Sequence, residues 1–155
     1  MQLGEKIADF TLKGIDKEGN EKEFSFSDYK GQNVILYFYP KDDTPGCTVE
    51  ACDFRDNINR LTSKAVVIGV SPDNNESHKK FQKKHGLNFI LLSDPEHKLM
   101  SKFGAFGEKN MYGKKVEGVI RSTFLIDKNG VLKHKWEKVK VEGHVDKVLD
   151  ELNKL

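Results

Sequence analysis

Two nearly continuous apolar runs constrain the fold of this chain more than any other feature. The runs NVILYFY, from Asn33 to Tyr39, and AVVIGV, from Ala65 to Val70, contain few polar residues, as strands buried on both faces of a parallel sheet do. Pro40 ends the first run, and the segment between them, from about Pro45 to Leu61, has the pattern of a helix. The order strand, helix, strand predicts a right-handed crossover and hence an α/β fold.

Paired strands and further helices surround this unit in the sequence. Clear turn signals are Glu18-Gly19-Asn20 and Asp127-Lys128-Asn129-Gly130. The predicted elements are a hairpin over 9–31, a helix over 75–85 with Asn74 or Asn75 as N-cap and Gly86 as its end, a strand over 88–94, a short helix over 96–102, a loop over 105–118, a hairpin over 119–139 and an amphipathic helix over 144–155. The sequence therefore predicts a single domain, residues 1–155, with a central mixed β-sheet flanked by helices and an N-terminal β-hairpin.

The charge balance argues against several classes of partner. Lys and Arg number 26 against 24 Asp and Glu, and a net charge of +2 gives no field typical of proteins that bind nucleic acid or a membrane surface. The first residues, MQLGEKIADF, lack the basic and apolar regions of a secretory signal, so a cytoplasmic location is expected. Thiols stay reduced there, so the two cysteines are not expected to form a permanent disulfide. They are expected to be reactive, to bind a metal or to have no special function.

Those cysteines, Cys47 and Cys52, lie on the helix between the two apolar runs. Thr44-Pro45-Gly46-Cys47 is typical of a helix start, with Thr44 as N-cap, Pro45 at the first helical position and Cys47 at the third. The unpaired N–H groups and partial positive charge of a helix N-terminus stabilise a thiolate, which is the nucleophilic form of cysteine. A thiol where a capping carboxylate is usual indicates a functional site.

Helical spacing places the two thiols on different sides of the helix. Cys47 shares with Ala51 and Phe54 the face that packs on the sheet, whereas Cys52 lies about 140° further round. Their α-carbons would be about 8 to 9 Å apart, and a disulfide tolerates about 7 Å. A bond between them therefore requires the first turns of the helix to unwind, and we expect the pair to act as a switch rather than as a staple.

Spacing alone leaves other interpretations open. Two cysteines on a helix are often small buried hydrophobic residues without chemistry. A thiol-disulfide oxidoreductase is a second alternative, although such an enzyme would use C-x-x-C, and a redox sensor that is not an enzyme is a third. A zinc site is disfavoured because the five histidines are scattered along the chain, and no metal or other cofactor is expected.

Three residues of this segment match a known motif. Pro40, Thr44 and Cys47 fit the P-x-x-x-T-x-x-C motif of the peroxiredoxins, and the chain resembles that family along nearly its whole length. The second cysteine, in CTVEAC, makes it similar to the peroxiredoxin Q or bacterioferritin comigratory protein branch. The resemblance implies a thioredoxin-like fold and a thiol peroxidase that reduces hydrogen peroxide and organic hydroperoxides to water or alcohols.

The resemblance also implies a role for each matched residue. Cys47 would be the peroxidatic cysteine, which attacks the O–O bond and becomes a sulfenic acid. Thr44 would hydrogen-bond the thiolate and the peroxide, and Pro40 would shield the pocket. Arg121, in the strand VIRSTFLI, would donate hydrogen bonds to both thiolate and peroxide, and Glu50 would order that arginine.

The second cysteine would complete the cycle. Cys52 would be the resolving cysteine, which condenses with the sulfenic acid of Cys47 to form an intramolecular disulfide, as in an atypical two-cysteine peroxiredoxin. Thioredoxin, or alternatively glutaredoxin, would then reduce that disulfide. Because this resolution needs no second subunit, a monomer is expected.

Overall fold

A computed structural model describes all 155 residues, Met1–Leu155, and has a seven-stranded mixed sheet at its centre. The strands are β1 (Thr11–Ile15), β2 (Glu21–Ser25), β3 (Asn33–Phe38), β4 (Ala65–Ser71), β5 (Ile90–Ser93), β6 (Phe106–Met111), β7 (Lys114–Val119), β8 (Ser122–Ile126) and β9 (Leu132–Trp136). The helices are α1 (Pro45–Asp56), α2 (Ile58–Thr62), α3 (Asn75–His85), α4 (Lys98–Lys102) and α5 (His144–Leu152), with a 3-10 helix at Phe26–Tyr29. None of the helices is long and apolar enough to span a membrane. The predicted α/β class, a mixed sheet flanked by helices, is confirmed.

The strand order in the large sheet is β2-β1-β5-β4-β3-β8-β9. β3, β4 and β5 run parallel, and the strands on either side of these three pair antiparallel to them. The register places Leu36 of β3 beside Ile68 of β4 and Phe124 of β8. The two apolar runs are therefore adjacent interior strands, as predicted, and α1 and α2 connect them.

Two hydrophobic cores cover the two faces of the sheet, because side chains alternate along each strand. Ile35 and Tyr37 of β3, with Tyr39 just beyond it, face the core formed with α1, α2, α3 and α5. The even-numbered residues face the core formed with α4 and the N-terminal hairpin. The apolar stripe predicted on the last helix lies in the first core, with Val145, Val148, Leu149 and Leu152 all buried.

Both predicted large hairpins form, and an aspartate holds each turn. Asp16 accepts hydrogen bonds from the backbone N–H groups of Glu18 and Asn20, each at 2.9 Å. Asp127 accepts in the same way from the N–H of Asn129 at 2.9 Å. Aspartate favours such turns because its short side chain can bond the main chain two residues further on.

Helix α3 begins and ends as the sequence predicts. Asn74 is the N-cap, and its side-chain oxygen accepts from the N–H of Ser77 at 2.9 Å. Gly86 ends the helix with a φ of 62°, a left-handed conformation that glycine adopts without strain. The inward face of α3 buries His78 and Phe81.

The helix predicted from Pro45 to Leu61 is broken at Asn57, which separates α1 from α2. Asn57 has a φ of −106° and a ψ of 10°, outside the helical range. Its side-chain Nδ2 donates to the carbonyl of Asp53 at 2.8 Å, and such a local bond competes with the helical hydrogen-bond ladder. The prediction of one continuous helix was therefore wrong.

The segment 105–118, predicted to be a loop, contains a β-hairpin instead. β6 and β7 pair antiparallel around Tyr112 and Gly113, whose φ values are 52° and 79°. Positive φ at both central residues gives a two-residue turn whose twist suits a hairpin. The loop prediction was wrong because most side chains of this hairpin are exposed, so the apolar alternation that identifies a strand is missing.

Gly69 of β4 offers a test of the packing beneath α1. It lies opposite Tyr37 of β3, and a Cβ at Gly69 would meet three atoms of the tyrosine side chain at 2.9 Å. Because Tyr37 is fully buried and stacks on Phe54 of α1, it has little room to move. We expect Gly69→Ala to lower the free energy of unfolding by about 1 to 3 kcal/mol, measured by urea denaturation of the reduced protein.

Gly107→Ala is the matched control. Gly107 is also a strand glycine, but the nearest atom to its added Cβ would be 3.9 Å away, an ordinary contact. If Gly69→Ala lowers the free energy of unfolding by no more than Gly107→Ala does, the packing of Tyr37 against β4 is looser than described.

Candidate active site

Cys47 lies at the start of α1, where the sequence predicts it. Pro45 is the first helical residue and Thr44 is the N-cap in an extended conformation, so Cys47 is the third residue of the helix. The thiol is buried, with 1% of the residue exposed. No side chain caps this helix, so the N–H groups of its first turn stay available to a thiolate or to an incoming oxygen atom.

Arg121 contacts Cys47 and Glu50 at the same time. Its Nη2 donates to the Cys47 sulfur at 3.2 Å, and its Nη1 donates to Glu50 Oε1 at 2.7 Å. Arg121 immediately precedes β8 rather than lying within a strand, which corrects the prediction of its position. β8 pairs with β3, and Pro40 follows β3, so the sheet itself brings the arginine to the start of α1.

Gly46 makes room for this arginine. A Cβ at Gly46 would lie 3.3 Å from Nη2 of Arg121, a distance closer than ordinary van der Waals contact. The absence of a side chain therefore lets the guanidinium approach the helix start closely. The close approach of Arg121 is therefore a second reason for a glycine at this position, in addition to the helix start.

Glu50 is a fully buried carboxylic acid next to this pair. It is 0% exposed, and burial raises its pKa to about 7, although the positive charge of Arg121 acts in the opposite direction. Its second oxygen, Oε2, has no hydrogen-bond partner, and neither does the buried hydroxyl of Tyr37. Burial alone would lower the pKa of Arg121, but Glu50 and Cys47 together raise that pKa above its ordinary value.

A cavity of about 580 Å³ opens beside Arg121. Pro40 and Arg121 line it together with apolar side chains of Val119, Ile120 and Val139. Its other walls are polar and include Glu108, Lys109, Asn110, Lys115 and Lys138. A larger cavity, of about 640 Å³, lies elsewhere and is lined by none of the six predicted site residues. The smaller cavity adjoins the predicted site through Pro40 and Arg121, whereas the buried Cys47 does not line it.

The remaining predicted site residues are close by but are not bonded to Cys47. The hydroxyl of Thr44 donates to the carbonyl of Lys41 at 2.9 Å, so its contact to the thiolate is not formed in this state. Cys52 is partly exposed on α1, and both cysteines are free thiols. Of the six predicted site residues, the structure therefore joins three, with Arg121 bonded to both Cys47 and Glu50.

Sequence reasoning missed two buried residues next to the site, Asp42 in the loop before α1 and His78 on α3. Asp42 lies between Pro40 and Thr44, and its Oδ2 is 2.7 Å from Nδ1 of His78. One signal was available, because two successive aspartates lie just beyond Pro40, which ends a buried strand, and buried charged residues need partners. The partner on α3 is 36 positions away, and no local pattern identifies it.

The chain is similar to known proteins along nearly its whole length. Residues 3–135 match the AhpC/TSA family. Peroxiredoxin Bcp of Bacillus subtilis is 51% identical over 153 residues, which are 98% of this chain and 95% of that protein. The bacterioferritin comigratory protein of Xanthomonas campestris superposes with a TM-score of 0.84 and 40% identity, over 92% of this chain and 90% of that one.

PrxQ of Xylella fastidiosa, crystallised as a cysteine mutant, superposes with a TM-score of 0.89 and 36% identity, over 99% of this chain and 96% of that one. The superpositions confirm the expected thioredoxin-like fold.

The protonation of Glu50 can be tested through the pH dependence of stability. Its pKa is about 7 in the folded protein against an ordinary value of 4.5. Between those values the folded protein holds a proton that the unfolded chain has released, so this group's contribution to stability falls as the pH rises. The stability advantage of the natural protein over Glu50→Gln should therefore shrink by about 2 kcal/mol between about pH 5 and about pH 8.

Urea denaturation of both reduced proteins at the two pH values measures this difference. Glutamine is the matched replacement, since it keeps the shape of the side chain and does not titrate. An advantage that stays constant with pH would show that Glu50 remains ionised beside Arg121 throughout.

Proposed function

The chain belongs to the AhpC/TSA family and, within it, to the peroxiredoxins of the Bcp and PrxQ type; on that premise we propose that it is a thiol peroxidase whose nucleophile is Cys47. The observation that carries the proposal is the hydrogen bond from Arg121 to the Cys47 sulfur, in a buried site at a helix start. These surroundings supply hydrogen-bond donors to the sulfur and to a bound peroxide. The whole chain, residues 1–155, acts as one domain.

The first step is attack of the Cys47 thiolate on a peroxide oxygen. A sulfur–oxygen bond forms while the O–O bond breaks, which leaves a sulfenic acid and releases hydroxide or alkoxide that takes a proton to become water or alcohol. Arg121 donates to the sulfur and to the peroxide oxygens as the negative charge moves from one to the other. Pro40 shields the pocket around Cys47, and Thr44 turns its hydroxyl from Lys41 to the substrate.

Glu50 keeps the arginine in place for this step. Its Oε1 accepts one N–H of the guanidinium, which leaves another N–H directed at the sulfur. A bond that fixes the planar guanidinium in this way reduces the freedom lost when a peroxide binds.

The second step joins the two cysteines. The sulfur of Cys52 attacks the sulfenic sulfur of Cys47, water leaves, and a disulfide forms within one subunit. Both residues lie on α1, and a helix holds such a pair about 8 to 9 Å apart, so the start of α1 unwinds first. Thioredoxin, or glutaredoxin, then reduces the disulfide by thiol exchange, and the protein works as a monomer.

Organic hydroperoxides are substrates alongside hydrogen peroxide. The cavity beside Arg121 has apolar walls at Val119, Ile120 and Val139, which suit the alkyl part of such a molecule. The similar protein of Xanthomonas campestris is described as having alkyl peroxide reduction activity.

Replacement of the nucleophile tests the proposal directly. We expect Cys47→Ser to abolish peroxide consumption in an assay with thioredoxin, thioredoxin reductase and NADPH, because a serine hydroxyl is not ionised at neutral pH. Val49→Ala, an exposed position on the same helix, is the control and should turn over normally. Peroxidase activity retained by Cys47→Ser would overturn the assignment of the nucleophile.

Replacement of the second cysteine tests the cycle. Cys52→Ser should react with one equivalent of peroxide and then stop as the sulfenic acid, or as the sulfinic acid when peroxide is in excess. Intact mass spectrometry distinguishes these products by one or two added oxygens. If Cys52→Ser turns over with thioredoxin at the normal rate, Cys52 is not the resolving residue.

A further inference from the structure

The loop between Pro40 and Thr44 contains a buried aspartate that the reaction does not use. Asp42 is only 7% exposed, although it lies at the edge of the site. Its Oδ1 accepts from the hydroxyl of Tyr39 at 2.6 Å. Its Oδ2 accepts from the hydroxyl of Ser77 at 2.8 Å and lies 2.7 Å from Nδ1 of His78. Both carboxylate oxygens are therefore fully engaged, and two of the three partners belong to helix α3.

His78 is held as firmly as the aspartate it contacts. The residue is 0% exposed, and its Nε2 lies 2.9 Å from the carbonyl of Leu92 in β5. Because a carbonyl can only accept, Nε2 is the donor in the contact with Leu92. The ring is thus fixed at both ends, between strand β5 and the loop.

Neighbouring contacts attach the same loop to the same helix. The backbone N–H of Asp42 donates to Asp73 Oδ2 at 2.7 Å, in the connection that leads into α3. Asp43 has a φ of 57°, and its carboxylate contacts Lys84 at 2.7 Å and His85 at 2.9 Å. These last contacts are exposed and contribute little, so the buried bonds of Asp42 dominate the attachment.

Helix α3 also holds α1 beyond Cys52. Arg55 donates to the backbone carbonyl of His85 at 2.6 Å. The chain is therefore attached to α3 on both sides of the segment 44–54, which contains both cysteines. Within that segment, the start of α1 must unwind before a disulfide can form.

We propose that Asp42 is a positioning residue that attaches the loop before α1 to helix α3 and so fixes the end from which α1 unwinds. This inference rests on the proposed peroxidase cycle. While the bonds of Asp42 are intact, Pro40, Thr44 and the start of α1 stay in place around Cys47, and oxidation is fast. The same bonds oppose unwinding, so they slow the formation of the disulfide.

The two steps should therefore respond to Asp42 in opposite directions. In Asp42→Ala we expect the second-order rate of Cys47 oxidation to fall about tenfold or more, since small displacements of a reacting group are costly. Disulfide formation should become faster, and the yield of sulfinic acid at high peroxide should fall. A residue that only stabilises the fold would not change the two rates in opposite directions.

The test is stopped-flow measurement of both rates, with intact mass of the products, on natural protein, Asp42→Ala and Asp42→Asn. The amide of asparagine can donate to Nδ1 of His78 while its oxygen accepts from Tyr39, so Asp42→Asn should recover most of the oxidation rate. Gln82→Ala is the matched control, because Gln82 is a buried residue of α3 whose amide donates to the carbonyl of Asp16, away from the loop. It should leave the ratio of the two rates unchanged.

Hydrogen exchange of the reduced protein provides a readout that needs no peroxide. Amides over residues 40–52 should exchange faster in Asp42→Ala than in Gln82→Ala. If Asp42→Ala does not fold, Ser77→Ala removes one of the three bonds and should produce the same changes at smaller size.

Two results would overturn the inference: equal exchange over residues 40–52 in the two alanine variants, or a parallel change of both rates. A natural protein that reacts no faster than free cysteine would contradict the proposed function alone, since hydrogen exchange still decides the role of Asp42.

Discussion

A single guanidinium group holds the candidate active site together. Arg121 donates to the sulfur of Cys47 and to the carboxylate of Glu50, two residues of the same helix. The fold positions the residues of this contact. β8 pairs with β3, which places the arginine just before β8 near the end of β3, and α1 begins just beyond that end. Gly46 leaves the space through which the guanidinium reaches the helix start. Without this contact the thiol would lose its charged neighbour.

This arrangement is costly to the folded state, and the cost is consistent with its function. Burying the carboxyl group of Glu50 and the guanidinium of Arg121 removes both from water, and the attraction between them recovers only part of the loss. Glu50 Oε2 and the hydroxyl of Tyr37 have no partner at all, and each unsatisfied buried group costs about 1 to 3 kcal/mol. Glu50 lies in the second turn of α1, so the start of this helix has less stability to lose than a fully satisfied helix would, which suits the unwinding proposed for disulfide formation.

Local patterns in the sequence were sufficient for most elements but not for the contacts of the site. The apolar runs identify β3 and β4, and Thr-Pro-Gly-Cys identifies the start of α1, because burial and capping leave local signals. The break at Asn57 depends on one side-chain bond to Asp53, and the β6–β7 hairpin is too exposed to show apolar alternation. Contacts such as Arg121 with Cys47 join residues 74 positions apart, so only the resemblance to a family indicated them.

The central claim is that the surroundings of Cys47 activate it towards peroxide and that Cys52 then resolves it. Trp136 is the only tryptophan; its ring lies 5.6 Å from that of His144, which in turn contacts Phe54 of α1. Its fluorescence should therefore report on changes at α1 when reduced protein is mixed with hydrogen peroxide in a stopped-flow instrument. We expect a reaction far faster than that of free cysteine, with a final product lighter by two hydrogens in intact mass. A rate no faster than that of free cysteine would contradict the account.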